Sequence, residues 1–224
     1  LEEVVVGNPL NARFPNADPS TRVAEYPDRP LDQIPQGAFP QWIIDETSED
    51  LDAFVAVLEQ AGVRVRRPQT WPHATAFSTV HWETTGYYNY CPRDIMLVVG
   101  DQIIETPNVI RGRSQETFSY RDMLMEFMIS GARWYSAPRP MLRDSLFDVD
   151  LGKPSPRNDE PAFDAANILR FGRDLLYLVS ATLVLVGVNL LSSALRQQAF
   201  LLGQLGIPAI AEVYGWALIG GAAL

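Results

Sequence analysis

The chain has 224 residues, of which 47% are hydrophobic, so it is long enough to bury one sizeable core or part of a larger one. Its formal net charge is -9, and no basic stripe offsets that charge, which argues against binding to the phosphates of nucleic acids. The one cysteine, Cys91, excludes an internal disulfide and a zinc cluster, and it is compatible with a reducing compartment such as the cytoplasm.

The first predicted unit is a strand, a helix and a second strand. Residues 2–6 form an apolar strand, and without an initiator Met or a secretion signal we expect the chain to begin inside a longer protein. Residues 7–41, rich in Pro, Asn and Asp, predict a long irregular connection. Residues 47–50 are typical of a helix start, Gly62 of a helix stop, and residues 63–66 of a short strand. This order is typical of an α/β fold.

The second unit begins with a predicted β-hairpin whose entrance carries an acid. Asp94 is expected to open an apolar strand over residues 95–99, and Gly100-Asp101 supplies a two-residue turn into a return strand over residues 102–106. A carboxylate at the entrance of a buried hairpin is costly unless a cation meets it. The partner of Asp94 is therefore the first functional question.

After the hairpin the pattern predicts a helix, a strand and a long loop. The helix covers about residues 119–130, and Gly131 ends it. Its predicted apolar side consists of Met123, Leu124, Phe127 and Met128. Residues 133–137 read as a strand, and the proline-rich residues 138–161 form a second long loop.

The third unit repeats the hairpin. Asp164 begins an apolar strand, a Gly–polar turn starts at Gly172, and an apolar strand returns, as after Asp94. An imperfect repeat suggests modules arranged about an axis, so that Asp94 and Asp164 face one another across a central pocket. The alternative is two ordinary hairpins that each carry an acidic residue at the entrance.

Ordered motifs over residues 1 to about 180 resemble the amidinotransferases, and more closely the bacterial branch of that family. The motifs that carry the resemblance are Leu1-Glu2-Glu3-Val4-Val5-Val6-Gly7, Gly62-Val63-Arg64-Val65-Arg66-Arg67-Pro68, Cys91-Pro92-Arg93-Asp94, Ile103-Ile104-Glu105-Thr106-Pro107, Gly131-Ala132-Arg133-Trp134, Ser136-Ala137-Pro138-Arg139-Pro140 and Phe163-Asp164-Ala165-Ala166-Asn167.

The resemblance implies an α/β pentein fold, in which five ββαβ-type modules surround a pseudo-fivefold axis. Residues 1–180 would then supply about two and a half of the five modules, and residues 181–224 would form a divergent apolar, helical tail. The resemblance also implies transfer of the amidino group of L-arginine to an acceptor amine through an amidino-cysteine. No cofactor or metal is expected, and the family suggests a homodimer.

Two aspartates match motifs that carry function in the family. Asp94 lies in the Pro-Arg-Asp motif and would pair with the guanidinium of the substrate. Asp164 lies in the Phe-Asp-Ala-Ala motif and would orient a catalytic His. The chemistry suits these residue types, because carboxylates bind a planar guanidinium through charged, often bidentate hydrogen bonds. An Asp beside a His also sets its orientation and basicity.

The chain departs from the family near Ala181, and the His-x-Asp motif and the late nucleophilic Cys of the family are absent. We therefore predict no turnover by this chain alone. The alternative function is a non-catalytic guanidinium-binding remnant or a membrane-associated interaction protein.

Local groups offer weak substitutes for the missing ones. We expect Cys91 to be a buried, inert thiol, because alternation along a strand would place it on the face opposite Asp94. His73 in a loop and His81 in a possible strand are more typical of structural or surface histidines. Arg111 and Arg113 are candidates to position a carboxylate of the substrate, with surface salt bridges as the alternative.

The last fifty residues form a different kind of sequence, in which only Arg196 and Glu212 are charged after Asp174. Residues 199–224 are long enough for a membrane span, but glycines and a proline interrupt them and no basic residues flank them. The tail therefore has three interpretations, which are a divergent or frameshifted module, an apolar helical pair that packs on the rest, and a membrane segment.

Overall fold

The computed structural model describes residues 2–149, 155–157, 159–171 and 174–177. These residues fall into two bodies, one of Glu2–Ala165 and one that begins at Ala166, and each is described by itself.

The helices are α1 (Pro19–Glu25), α2 (Gln41–Gln60), α3 (Pro92–Ile95) and α4 (Arg121–Ile129). The strands are β1 (Glu3–Val5), β2 (Arg13–Phe14), β3 (Gly37–Ala38), β4 (Arg64–Arg66), β5 (Phe77–Ser78), β6 (Glu83–Thr84), β7 (Met96–Val99), β8 (Gln102–Glu105), β9 (Arg133–Ser136), β10 (Phe147–Asp148), β11 (Ser155–Pro156), β12 (Ile168–Phe171) and β13 (Asp174–Tyr177). Single 3₁₀ turns cover Leu31–Gln33, Arg111–Arg113, Glu116–Tyr120, Asp144–Leu146 and Ala165–Asn167.

The predicted strand–helix–strand unit is confirmed as β1, α2 and β4. β1 and β4 pair in parallel, with Glu3 opposite Arg64 and Val5 opposite Arg66. A parallel pair needs a crossover connection, which α2 provides. Gly62 follows the helix with φ +80°, a left-handed conformation that glycine adopts without the steric cost a side chain adds.

The predicted start of α2 is wrong by two turns. The helix begins at Gln41, directly after Pro40, rather than at Thr47. Ser48 lies inside the helix, where its hydroxyl donates to the carbonyl of Ile44 at 2.7 Å instead of capping a terminus. The predicted irregular connection over residues 7–41 is also interrupted by α1, which Asp18 caps by accepting from the Thr21 N–H.

The second unit is a complete ββαβ module. β7 and β8 form the predicted antiparallel hairpin, in which Val99 pairs with Gln102 around the turn. β9 pairs in parallel with β8, and α4 connects the two strands. A core of buried apolar residues lies between the helix and the sheet: Ile95, Met96, Ile103, Tyr120 and Leu124. Met128, predicted to lie on the apolar side of the helix, is instead 42% exposed.

Both aspartates precede their hairpins differently from the prediction. Asp94 lies in the helical turn α3 rather than at the start of a strand, because Pro92 at the first helical position pre-sets a helical φ. Asp164 likewise precedes a 3₁₀ turn, Ala165–Asn167, rather than β12 itself. The sequence resemblance between the two hairpin entrances therefore extends to a helical turn.

In the second body, β12 and β13 form the predicted antiparallel hairpin, with Ile168 opposite Tyr177 and Phe171 opposite Asp174. The observed elements confirm an α/β chain with one ββαβ module, whereas the pseudo-fivefold arrangement stays a prediction. The predicted tail over residues 181–224 lies outside the described residues. Within the part of the chain that the structure describes, no helix is both long and apolar enough to cross a membrane.

Candidate guanidinium site

Three carboxylates surround the guanidinium of Arg113. Nη1 of Arg113 lies 2.9 Å from Oδ2 of Asp94 and 3.7 Å from Oδ2 of Asp164. Its other edge donates to Glu116, from Nε to Oε2 at 2.6 Å and from Nη2 to Oε1 at 3.1 Å. We call Asp94, Asp164 and Glu116 the carboxylate cluster. The sequence prediction that Asp94 and Asp164 face one centre is therefore matched by the geometry, and the cation found between them is an arginine of the chain.

Short local structures hold these side chains in place. Asp94 is fixed by α3, whose Asp94 N–H donates to the carbonyl of Cys91 at 3.1 Å. Asp164 accepts from the side-chain amide of Asn108 at 3.2 Å, and the oxygen of that amide accepts from the Ile110 N–H at 2.9 Å. The Arg113 N–H in turn donates to the Ile110 carbonyl. One loop thus positions both the arginine and the amide that holds Asp164.

The cluster is buried at one end and open at the other. The side chains of Arg113 and Glu116 are 2% and 1% exposed, whereas those of Asp94 and Asp164 are 23% and 29% exposed. Burial raises the pKa of Glu116 to about 7, against the opposing effect of Arg113. Burial alone would lower the pKa of Arg113, but Glu116 and the other carboxylates raise it well above its usual value.

A second arginine contributes to the charge of this region. Burial lowers the pKa of Arg93, and the nearby Asp164 and Asp94 oppose that effect. Arg93 also donates to the carbonyl of Ala165. With all groups ionised, three carboxylates and two guanidinium groups leave one net negative charge, and protonation of Glu116 removes it. The partly exposed Asp94 and Asp164 form the solvent-facing side of the cluster, where a further cation could meet them.

Arg111 is buried in a different environment. Its Nε donates to the carbonyl of Leu142 at 2.9 Å, and Nη2 donates to the same carbonyl and to Asp144. Its guanidinium carbon lies 5.6 Å from the ring centroid of Trp82 and 5.4 Å from that of Phe147. We call Trp82, Phe147 and the Leu142 carbonyl the aromatic clamp of Arg111. Nε and Nη2 of Arg111 already donate to partners within the protein. The predicted contact of Arg111 or Arg113 with a substrate carboxylate stays a prediction, because the partners found for both lie within the protein.

Cys91 lies immediately before α3 and not in a strand, so the expected alternation of strand faces does not apply to it. Burial, and then the charge of Asp94, raises the pKa of the Cys91 thiol to about 12. The thiol is therefore protonated at neutral pH and is a poor nucleophile, as expected, but it is only partly buried, so the predicted full burial is wrong.

The two histidines have different environments. His73 lies in a loop and is buried, its Nε2 has no hydrogen-bond partner, and burial lowers its pKa to about 4. It lines a cavity of about 100 Å³ together with Gly86, Gly112 and Glu116. His81 lies in the bend between β5 and β6, so the predicted strand is wrong at this residue, and its Nε2 accepts from Arg143 at 3.1 Å.

A larger cavity, of about 230 Å³, lies beside the cluster and shares Arg113 and Asn108 with it. Glu105 in its wall is buried and accepts hydrogen bonds from the side chains of Thr117, Trp134 and Arg139. Neither Asp94 nor Asp164 lines this cavity. Within the residues that the structure describes, no group of three or more His, Cys, Asp or Glu side chains is arranged to hold a metal ion.

Sequence reasoning missed two members of the site, Glu116 and Asn108. The signal for Glu116 was present, because Arg113 and Glu116 have the i, i+3 spacing at which charged side chains meet on a helical turn. Asn108 offered no comparable signal, since its contact with Asp164 joins residues that are far apart in the chain.

The chain is similar to known amidinotransferases. It is 46% identical over 197 residues to inosamine-phosphate amidinotransferase 1 of Streptomyces griseus, and the match covers 87% of this chain and 57% of that protein. It is 36% identical over 159 residues to the L-arginine:L-lysine amidinotransferase of Pseudomonas savastanoi pv. phaseolicola, a match that covers 67% of this chain and 44% of that protein.

A solved structure of the inosamine-phosphate amidinotransferase of Streptomyces griseus matches with a TM-score of 0.76 at 47% identity. That match covers 80% of this chain and 53% of the other. The chain thus spans little more than half the length of its first relatives. No protein-family model matches it.

Proposed function

The chain belongs to the amidinotransferase family, and we propose that its carboxylate cluster binds the guanidinium of L-arginine for transfer of the amidino group to an acceptor amine. The observation that carries the proposal is the convergence of Asp94 and Asp164 on one guanidinium, that of Arg113. A pair of carboxylates that already contacts one guanidinium has the charge and spacing to contact a second from its solvent side.

In the proposed reaction a cysteine thiolate attacks the guanidinium carbon of arginine, the bond from that carbon to Nε breaks, and ornithine leaves after Nε takes up a proton. The acceptor amine then attacks the amidino-cysteine and releases the thiolate. Asp94 would hold the guanidinium, and Asp164 would orient the His that moves the protons. The relative named for arginine and lysine supports arginine as the donor.

Cys91 is not the nucleophile in this proposal, because its raised pKa keeps the thiol protonated. The protonated Cys91 thiol favours a second candidate function for this chain alone. That function is binding of a guanidinium without turnover. Cytoplasmic location, suggested by the single cysteine, and a homodimer, suggested by the family resemblance, are further proposals.

Calorimetry with L-arginine tests the proposal on the full chain. We expect saturable binding, weakened at least about tenfold by Asp94→Asn or Asp164→Asn, since each change removes a charged hydrogen-bond acceptor. Asp144→Asn is the matched control, because Asp144 is an exposed carboxylate that also pairs with a buried arginine. A chain that does not bind L-arginine, or variants that bind it as well as the wild type, would overturn the proposal.

Ornithine release separates the two candidate functions. We expect no release from L-arginine by this chain alone. Turnover that Cys91→Ser abolishes would show instead that the local thiol acts as the nucleophile.

A further inference from the structure

The buried Glu116 holds Arg113 by two parallel hydrogen bonds, at 2.6 and 3.1 Å. Such a two-point contact fixes the plane and the rotation of a guanidinium, which a single contact does not. The ring of Tyr88 lies 4.7 Å below the same guanidinium carbon and closes one of its faces. Arg113 is therefore held rigidly from two sides, and only its Nη1 reaches toward the exposed aspartates.

Nη1 is the atom that the two aspartates share. Each of Asp94 and Asp164 presents its Oδ2 to this nitrogen, at 2.9 and 3.7 Å. Two carboxylates that approach one another repel, and a cation between them lowers that repulsion. Glu116 contributes through its two hydrogen bonds, which hold this cation in place.

We propose that Arg113 and Glu116 form a positioning pair that sets the separation and the ionisation of Asp94 and Asp164 for a guanidinium ligand. The inference rests on the proposed function of the two aspartates and assigns no contact with the ligand to Arg113 or Glu116. The sequence predicted that Arg113 binds a carboxylate of the substrate. We propose instead that Arg113 positions two carboxylates of the protein.

Other groups face the cluster and enter the electrostatic balance. Arg93 is the second cation near Asp94 and Asp164. Cys91 and Tyr88 lie close enough to interact with Arg113 but remain uncharged, because burial raises the pKa of each. Variants of Arg113 and Glu116 leave Arg93, Cys91 and Tyr88 unchanged. A change in the pH dependence of binding in those variants therefore reports on the positioning pair.

The test is calorimetric titration of the full chain with L-arginine between about pH 4 and pH 9, with the pH of half-maximal affinity as the readout. Arg113→Met removes a cation from between the aspartates, so they take up a proton more easily and the midpoint rises by about one unit. Glu116→Gln leaves the cation in place, and Glu116 is already protonated at the pH where the aspartates titrate, so the midpoint should stay within about 0.3 units. The affinity should fall about tenfold, because the two-point contact that orients Arg113 is lost. A merely structural pair would lower the folded fraction without moving the midpoint in Arg113→Met.

Three further variants make the result interpretable. Arg133→Met and Asp101→Asn make the same changes of charge in an exposed pair, and they should leave the midpoint unchanged. Arg113→Lys keeps the positive charge but loses the planar guanidinium that makes two parallel hydrogen bonds. Its midpoint should lie within about 0.3 pH units of the wild-type midpoint, and its affinity for L-arginine should be about tenfold lower than that of the wild type.

If Arg113→Met does not fold, the Glu116→Gln and Arg113→Lys results decide. A midpoint that stays fixed in folded Arg113→Met, or an undiminished affinity in Glu116→Gln, overturns the inference. Failure of the wild-type chain to bind L-arginine overturns instead the proposed function on which it rests.

Discussion

Arg111 and Arg113 lie in one 3₁₀ turn, and both are buried, yet their surroundings differ in charge. Arg111 meets a neutral carbonyl and two aromatic rings, and its one ionised partner, Asp144, is largely exposed. Arg113 meets three carboxylates. The comparison teaches that the residue type does not decide the role. Arg111 packs against two rings and a carbonyl within the fold, whereas Arg113 lies among carboxylates, where we propose that it arranges negative charge for a ligand.

Gly112 lies between Arg111 and Arg113 in this turn and lets the backbone pack closely against neighbouring loops. A Cβ at this position would lie 2.8 Å from the side chain of Pro15 and 3.1 Å from the carbonyl of Thr85. The backbone therefore packs directly against the neighbouring loops, with an arginine on each side of the contact.

The largest effect is expected from loss of the aromatic clamp. Arg111→Met should lower the free energy of unfolding by about 3 kcal/mol, because it leaves the Leu142 carbonyl without its donors and removes packing against Trp82 and Phe147. Urea denaturation measures this loss, and Arg133→Met in an exposed pair is the matched control with no expected change. We distinguish Arg111, which stabilises the fold, from Arg113, which acts at the carboxylate cluster. An unchanged free energy of unfolding in Arg111→Met, or weaker L-arginine binding by the folded variant, would contradict that distinction.

The pH dependence of stability provides a second, intermediate effect. His73 has a folded pKa of about 4, below its usual value of 6.5, so it favours the folded state fully above about pH 6.5. That stability, about 2 kcal/mol, is lost as the pH falls through the folded pKa. Replacing the side chain in His73→Gln should flatten the pH profile of urea midpoints between pH 4 and 6.5.

Glu116 has the opposite sign. Its folded pKa of about 7 exceeds the usual 4.5, so the folded state favours the protonated form. The resulting contribution to folding stability is present below pH 4.5 and is lost as the pH rises toward 7. Glu116→Gln should therefore steepen the rise of stability with pH over the window in which His73 acts. The same urea series measures it, and an unchanged slope would argue that Glu116 is as acidic in the folded chain as in the unfolded one.

The smallest effect is expected at Gly112. Gly112→Ala should cost about 1 to 2 kcal/mol, because the added Cβ must displace the side chain of Pro15. Gly100→Ala is a useful comparison, since a Cβ there meets open space and any loss comes from its φ of +61° alone. A neutral Gly112→Ala, measured by thermal unfolding, would mean that the neighbouring loop moves aside easily.

The elements that sequence reasoning predicted best are those with strong local signals. The Gly100-Asp101 turn fixed the β7–β8 hairpin, and Gly62 and Gly131 marked the ends of two helices. The start of α2 was missed because the helix begins at Gln41, directly after Pro40, so the capping pattern of Thr47 and Ser48 falls inside the helix. Pro92 shifted Asp94 from a strand into a helical turn.

The site was predictable only in part. The repeated hairpin entrance suggested that Asp94 and Asp164 share a centre, and the structure brings both to Arg113. Sequence could not show that Arg113 fills the space between them, because that contact depends on how distant loops pack. The different surroundings of Arg111 and Arg113 were hidden for the same reason, since two arginines two residues apart give the same local signal.

The most direct test of the guanidinium site is the ratio of affinities for L-arginine and L-citrulline, whose ureido group has a similar shape and no charge. Calorimetry on the full chain should show that the wild type prefers L-arginine at least about tenfold, and that Asp94→Asn removes the preference. Equal affinities in the wild type, or an undiminished preference in folded Asp94→Asn, would contradict the assignment of the carboxylate cluster to guanidinium binding.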